Sequence, residues 1–247
     1  MKIKLSYKKD FKIAVYTANI GNNIEVKDLK VTEPNIDYFY FTDKPIKLKK
    51  WKIQYIQNTY ENTKISSKNR ILAKRIKMLF WERLKEYDWV VWVDAECLPN
   101  FSIGLREYIE KIPSNIDVCF NTHPDRECTY NEIDTVKKYN LDDAQQLDQW
   151  EKKLIKEKFP KNYGLSDSCK IIWRYNFRNI PRKKIEKWFN LSTNKFRRDQ
   201  ITLNYLIWKY NIKKYTLNID LNEIIKTIKV NKTSTGARER KNGGWRI

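Results

Sequence analysis

The stretch from Glu86 to Asn100, EYDWVVWVDAECLPN, constrains the fold more than any other. Trp89 to Val93 is an unbroken apolar run that stops on two acids, Asp94 and Glu96, just before Pro99. A strand apolar on both faces needs cover above and below, as in a helix-flanked parallel sheet. Other short runs point the same way. KIAVYTA (12–18) closes on a polar loop with Gly21, DYFYFTD (37–43) ends on Asp43, and WKIQYI (51–56) alternates.

From Ser66 the period changes. SSKNRILAKRIKMLFWERLKEY sets Ile71, Leu72, Ile76, Leu79, Phe80 and Leu84 on one helical stripe, with Ser66 or Ser67 as N-cap. Arg70, Lys74 and Lys77 fall together on another face. Further along, SIGLREYIEKI reads as a helix and DVCFN as a buried strand. TYNEIDTVKKY carries the capping-box pair Thr129 and Glu132. DDAQQLDQWEKKLIKEKF continues helical, DSCKIIWRYN is strand-like, and PRKKIEKWFNLST opens a helix on Pro181. RRDQITLNYLIWKY (197–210) reads as one more helix. The alternation of strands and helices predicts an α/β fold with a largely parallel sheet. One domain over 1–229 is expected, followed by a basic tail over 230–247.

The formal net charge of +20 admits nucleic acid, an anionic membrane surface or an anionic small substrate as partners. It also admits simple compositional drift in a chain rich in Lys, Asn and Ile. The charge is spread along the sequence, which weakens a nucleic-acid tail. Four cysteines without a CxxC pair and a single histidine argue against a zinc ribbon or finger. They read as reduced thiols, and with no signal-peptide core at the N-terminus the expected location is the cytoplasm. No apolar run reaches the ~20 residues of a transmembrane helix, so any membrane contact would be peripheral.

Residues two apart on an extended chain point to the same side, so Asp94 and Glu96 could share one pocket. Magnesium and manganese combine one or two carboxylates with substrate phosphates. A polar turn that caps the next helix is the plainer alternative. Likewise Arg70, Lys74 and Lys77 suit a pyrophosphate, or are a solvated helix face.

Six blocks, taken in order, resemble one family: KIAVYTANIGN, KNRILAKRIKMLF, YDWVVWVDAE, NTHPDRECTYNEID, GLSDSCKIIWRYN and RRDQITLNYLIWK. This is a glycosyltransferase-like family long catalogued as a domain of unknown function, number 616, whose plant members are linked to cell-wall mucilage. The resemblance covers roughly residues 12–210 and implies a Rossmann-like GT-A fold. It further implies a hexosyl- or pentosyltransferase using a nucleotide-sugar donor, UDP-linked, with Mn2+ or Mg2+.

On that resemblance Asp94 takes the first position of an Asp-x-Asp motif, and Glu96 stands where a second Asp is usual. Asp199 and Gln200 match a DQ…N signature that reaches the donor sugar. Tyr16, Thr17, Ala18 and Asn19 would line the nucleotide pocket, with Arg70, Lys74 and Lys77 on the diphosphate. His123 and Arg126, in HPDR, would contact donor or acceptor. The metal-binding histidine that many GT-A enzymes carry near the C-terminus has no counterpart. The tail from Lys232 to Arg246 would be a lid or a free terminus. The acceptor would be a glycan, glycoprotein or glycolipid. Each residue also has a structural alternative: Asp199 as a helix N-cap, and His123 as a satisfied buried side chain.

Two rival functions share these ingredients. A metal-dependent nuclease usually places a Lys after its second carboxylate, whereas Cys97, Leu98 and Pro99 follow Glu96. A non-catalytic basic module for RNA or anionic lipid lacks an RNA-binding signature. Nucleic acid is therefore not the expected partner, and oligomeric state is not readable.

Overall fold

Trp89–Val93 is indeed central: as β4, it is buried at every position and has neighbours on both sides. The computed structural model describes residues 11–21, 24–25, 28–95, 97–101, 104–175, 182–216 and 225–229. The tail over 230–247, Glu96 and Pro181 lie outside these residues.

In chain order the strands are β1 (Ile13–Asn19), β2 (Ile36–Thr42), β3 (Lys52–Tyr55), β4, β5 (Cys97–Phe101), β6 (Val118–Thr122), β7 (Ser166–Arg174), β8 (Lys214–Thr216) and β9 (Ile225–Lys229). The helices are α1 (Lys68–Met78), α2 (Leu105–Glu110), α3 (Thr129–Lys138), α4 (Ala144–Lys156), α5 (Arg182–Asn194) and α6 (Gln200–Lys209). The main sheet runs β3-β2-β1-β4-β7-β6-β8, and β5 pairs with β9 in a separate two-stranded sheet.

β3, β2, β1 and β4 are parallel neighbours, and β6 is parallel to β8. β7 is inserted antiparallel to both β4 and β6. The fold is thus α/β with a mostly parallel sheet, and β3-β2-β1-β4 is the order of a Rossmann half. The chain leaves β1 toward β2 and returns on its other side as β4. In sheets of this kind ligands bind at such a reversal, beyond the carboxyl ends of the strands.

Alternation decides which layer each residue joins. Ala14, Tyr16, Ala18, Val90 and Trp92 face a core shared with α1 and α3 to α6. Ile13, Val15, Trp89, Val91 and Val93 face a smaller core closed by α2, Leu29 and Trp51. Helices on both faces are what the doubly apolar β4 requires.

Several elements differ from the sequence reading. The helical stripe from Ser66 stops at Met78 and passes into a single 3-10 turn, Phe80–Glu82. Ser67 is the N-cap, accepting from the Arg70 backbone N–H. Cys97–Phe101 forms a strand that runs through Pro99, because it pairs with the distant β9 in a two-stranded sheet where each strand is an edge. The Thr129–Glu132 capping box does not form. Cys128 is the N-cap but makes no side-chain bond to the helix backbone, and Glu132 is drawn elsewhere by two arginines.

Candidate functional site

Asp94 directly follows β4, at the carboxyl end of the sheet where the parallel β1 also ends. Its backbone N–H donates to Cys169 O of β7 at 2.8 Å, and Trp92 Nε1 donates to its Oδ1 at 2.6 Å. Lys77 Nζ lies 3.5 Å from the same oxygen. Asp94, two residues beyond Trp92, continues the side of β4 that faces α1. That is why a lysine of α1 can meet it.

The same Lys77 reaches Asp199 Oδ2 at 2.9 Å. Lys77 is only 5% exposed, a depth at which a lone ammonium would shed its proton. Burial does oppose its charge, but Asp199 and then Asp94 outweigh burial and hold its pKa above the ordinary lysine value. Burial likewise opposes ionisation of Asp199, and Lys77 and Lys74 overcome it, holding that carboxyl well below the usual carboxylate range. Three charges, on α1, after β4 and before α6, therefore form one ionised unit.

Asp199 sits at the N-cap position of α6, yet its side chain makes no capping bond and its backbone is helical. The capping alternative for Asp199 is thereby set aside. Ser168 Oγ donates to its Oδ1 at 3.2 Å. Ser168 comes from an irregularity in β7: Phe120 pairs with Ile171, but Asn121 pairs with Asp167, so Ser168, Cys169 and Lys170 are looped out of the β6 register. Bulges of this sort re-aim side chains beside functional sites. Two buried indoles fix the first turn of α6, with Trp188 Nε1 donating to Asp199 O at 3.0 Å and Trp150 Nε1 to Ile201 O at 3.3 Å.

The other basic residues of α1 separate. Lys74 is buried, and its ammonium donates to the backbone carbonyls of Ser192 and Arg197, the latter at 2.8 Å. It ties α1 to the end of α5 and to the approach to α6. Burial is the chief reason its pKa falls to about 8. Arg70 is exposed, within electrostatic range of Arg197, Arg198, Asp142 and Asp199. The row read as one face, for a pyrophosphate or for solvent, is thus split, because α1 packs on the sheet along one side and on α5 along another.

His123 and Arg126 lie in a buried chain of polar groups. The Arg126 guanidinium contacts His123 Nε2 at 2.7 Å. Arginine can only donate, so that nitrogen is unprotonated. Burial and then Arg126 lower the His123 pKa. Arg126 pairs with Glu132, which is wholly buried, and Arg198 Nε reaches the other oxygen of Glu132 at 2.8 Å. Arg198 also donates to Gln200 Oε1 at 3.0 Å. The chain His123–Arg126–Glu132–Arg198–Gln200 therefore ends on the residues flanking Asp199.

Tyr16, Thr17, Ala18 and Asn19 are all buried. Tyr16 is a core residue: its hydroxyl donates to Lys77 O at 2.8 Å, and its ring meets Trp92 edge-on. Asn19 Nδ2 donates to Ile24 O at 2.9 Å, folding the next loop back. Gly21, at φ 81°, gives its N–H to Asp43 Oδ1 at 2.7 Å. That left-handed backbone suits glycine and joins the loops after β1 and β2.

Sequence reasoning missed Ser168, Glu132 and Arg198 as site-building residues. RR immediately before Asp199 was the available signal for Arg198. Ser168 had none, because a bulge in β7 depends on its partners.

A magnesium-type ion needs one or two carboxylates plus substrate oxygens. Asp94 offers one at the sheet end, so the donor set is compatible with such an ion. Among the described residues no group of three or more His, Cys, Asp or Glu is placed to hold a metal. Also among them, no helix is long and apolar enough to cross a membrane.

No family model matches the chain, and no curated protein matches it. Solved structures similar to it include the WbbM bifunctional glycosyltransferase in its apo form, with 13% identity and a TM-score of 0.48 over 84% of this chain. This chain spans 39% of that one. A glycosyltransferase involved in glycosylation of the major capsid of PBCV-1 aligns over 83% of this chain and 81% of its own, at 10% identity and TM-score 0.43. The galactosyltransferase LgtC, in complex with donor and acceptor sugar analogs, aligns over 82% and 72%, at 7% identity and TM-score 0.44.

Proposed function

We propose that this protein is a GT-A-type glycosyltransferase that moves a sugar from a nucleotide diphosphate donor, UDP-linked, to a hydroxyl of a glycan, glycoprotein or glycolipid. The observation that carries the reading is Lys77 held between Asp94 and Asp199 at the strand reversal of the sheet. A departing diphosphate needs fixed positive charge in a poorly solvated place. Lys77 is kept ionised by both neighbours but is outnumbered by them, so the cluster is net negative and would take that positive charge from a divalent ion at Asp94.

Asp94, with Glu96 nearby in sequence, would hold the manganese or magnesium ion, which when bound acts as a Lewis acid on phosphate oxygens. Arg70 stands at the surface beside Arg197 as a second source of positive charge. Asp199 faces a different task. A carboxylate held so far below its ordinary pKa is a weak proton acceptor at neutral pH. It is better suited to orient the donor sugar and to stabilise the positive charge of an oxocarbenium-like transition state. Ser168 and Lys77 hold its two oxygens, and Arg198 and Gln200 brace the turn around it.

Thermal shift with UDP and UDP-sugars, each with and without manganese, tests the reading. Stabilisation by UDP that depends on the metal and disappears in Asp94→Ala is the expected result. Slow hydrolysis of one UDP-sugar would then identify the donor. Absence of any shift with every nucleotide and metal combination, alongside a shift with single-stranded nucleic acid, would overturn it.

A further inference from the structure

A strip of cations runs from the candidate site over the surface of α4, α5 and α6. Arg70 and Arg197 stand exposed at the site mouth. Two residues before Arg197, Lys195 places its Nζ 6.0 Å from the centre of the Trp150 ring. Lys153 stands 5.1 Å from the same ring and 5.6 Å from Tyr205. Lys209 lies 5.3 Å from Tyr205, and the exposed Lys187 of α5 completes the group. Lys195 and Lys153 share the Trp150 ring, and Lys153 and Lys209 share Tyr205, so these three are neighbours; Arg197, two residues from Lys195, links them to Arg70, and Lys187 lies within electrostatic range of Lys153.

This crowding is not what a merely solvated surface would choose. Burial, and then Lys209, Lys187 and Lys195, disfavour the charge on Lys153 against the pull of Glu157. Three carboxylates face the strip. Glu157 pairs with Lys209 at 2.6 Å and with Lys153 at 3.9 Å, Asp142 accepts from the backbone N–H groups of Arg197 and Arg198, and Asp199 is already held by Lys77. Positive charge therefore remains in excess along the line. Like charges held together in this way are relieved by an anionic ligand that spans them.

We propose that this strip is the binding track for a polyanionic acceptor glycan, a chain carrying repeated phosphates or carboxylates. The inference rests on the sugar-transfer reading, since the strip begins at the site where the acceptor must arrive. An extended polyanion fits because the cations lead from Arg70 and Arg197 at the site mouth, through Lys195, to a cluster around Lys153 on α4, α5 and α6. Capture would be electrostatic and would weaken with salt.

Fluorescence anisotropy on the full chain tests it at low salt. The probes are a tagged poly(alditol phosphate) oligomer, a tagged oligouronate and a neutral oligosaccharide of equal length. At least one polyanion should bind while the neutral chain does not, and the better of the two identifies phosphate or carboxylate. Lys153→Glu with Lys187→Glu should lower that affinity about tenfold or more, whereas Lys47→Glu with Lys49→Glu, at the β3 edge of the sheet, should change it less than about twofold. If the reversal variant does not fold, Lys153→Gln with Lys187→Gln decides, with an expected loss of about threefold.

Equal losses from the two pairs, or tighter binding of anionic vesicles or single-stranded RNA than of either glycan, would overturn the proposal. A metal-dependent UDP shift that persists while neither polyanion binds would leave the transfer reading intact and remove the track. Polyanion binding without any UDP response would remove the transfer reading on which the acceptor assignment depends.

Discussion

Lys77 Nζ stands 2.9 Å from Asp199 and 3.5 Å from Asp94, although the two acids are far apart in sequence. One buried ammonium thus fixes the end of β4 against the start of α6. Removing one partner of a buried pair leaves the other uncompensated, which costs about 3–5 kcal/mol. Asp199→Ala and Lys77→Met should each destabilise by that order. The double variant should lose less than the sum, with a coupling of about 1 kcal/mol or more in a denaturation cycle. Strict additivity would show that the pair is not formed.

The depressed pKa of Asp199 implies a definite acid response. Its contribution is fully present above the unfolded carboxylate value of about 3.9 and is lost only as pH falls through the lower folded value. The pair should therefore survive at pH 5.

His123 behaves otherwise. Its folded pKa lies below the ordinary 6.5, so the unfolded chain binds the proton more readily. Stability is retained above pH 6.5 and is lost as pH falls through the folded value, with a slope of up to about 1.4 kcal/mol per pH unit. As the only histidine in the chain, it can be followed by its single imidazole NMR signal. Urea unfolding between pH 7.5 and 5 should be less pH-dependent in His123→Gln than in the parent, and equal slopes would refute the assignment.

Lys74 predicts a response at alkaline pH. Its folded pKa of about 8 is below the unfolded 10.5, so between these values the unfolded chain holds the extra proton. Stability should rise with pH over this interval, up to the point near pH 10 where the buried tyrosines act in the opposite sense. Lys74→Met should flatten the rise, measured by urea unfolding from pH 7.5 to 9.5.

Glu132 anchors both Arg126 and Arg198, so Glu132→Ala should cost about 3–5 kcal/mol. Glu132→Gln keeps the volume and should cost less in stability. Because it loosens Arg198 beside Gln200, it should still weaken the UDP-sugar thermal shift more than the UDP shift. Equal weakening of both would place Glu132 outside sugar orientation.

The amino-acid sequence alone determined the sheet's centre. Five consecutive apolar residues at Trp89–Val93 can be satisfied only by cover on both faces, and Asp94 had to lie at the strand's polar end. Local patterning also revealed α1 and a serine cap at Ser66 or Ser67, of which the fold uses Ser67, because side-chain period and capping chemistry act within a few residues. Tertiary structure alone decided which charges meet. Lys74 and Lys77 are three residues apart on one helix, yet one binds carbonyls of α5 and the α6 approach while the other binds two carboxylates. Thr129 and Glu132 matched a local cap, but two arginines drew Glu132 into the interior. The bulge that brings Ser168 to Asp199 arises from pairing across β4, β7 and β6. Such contacts depend on desolvation and on partners distant in the chain, and neither is written in local sequence.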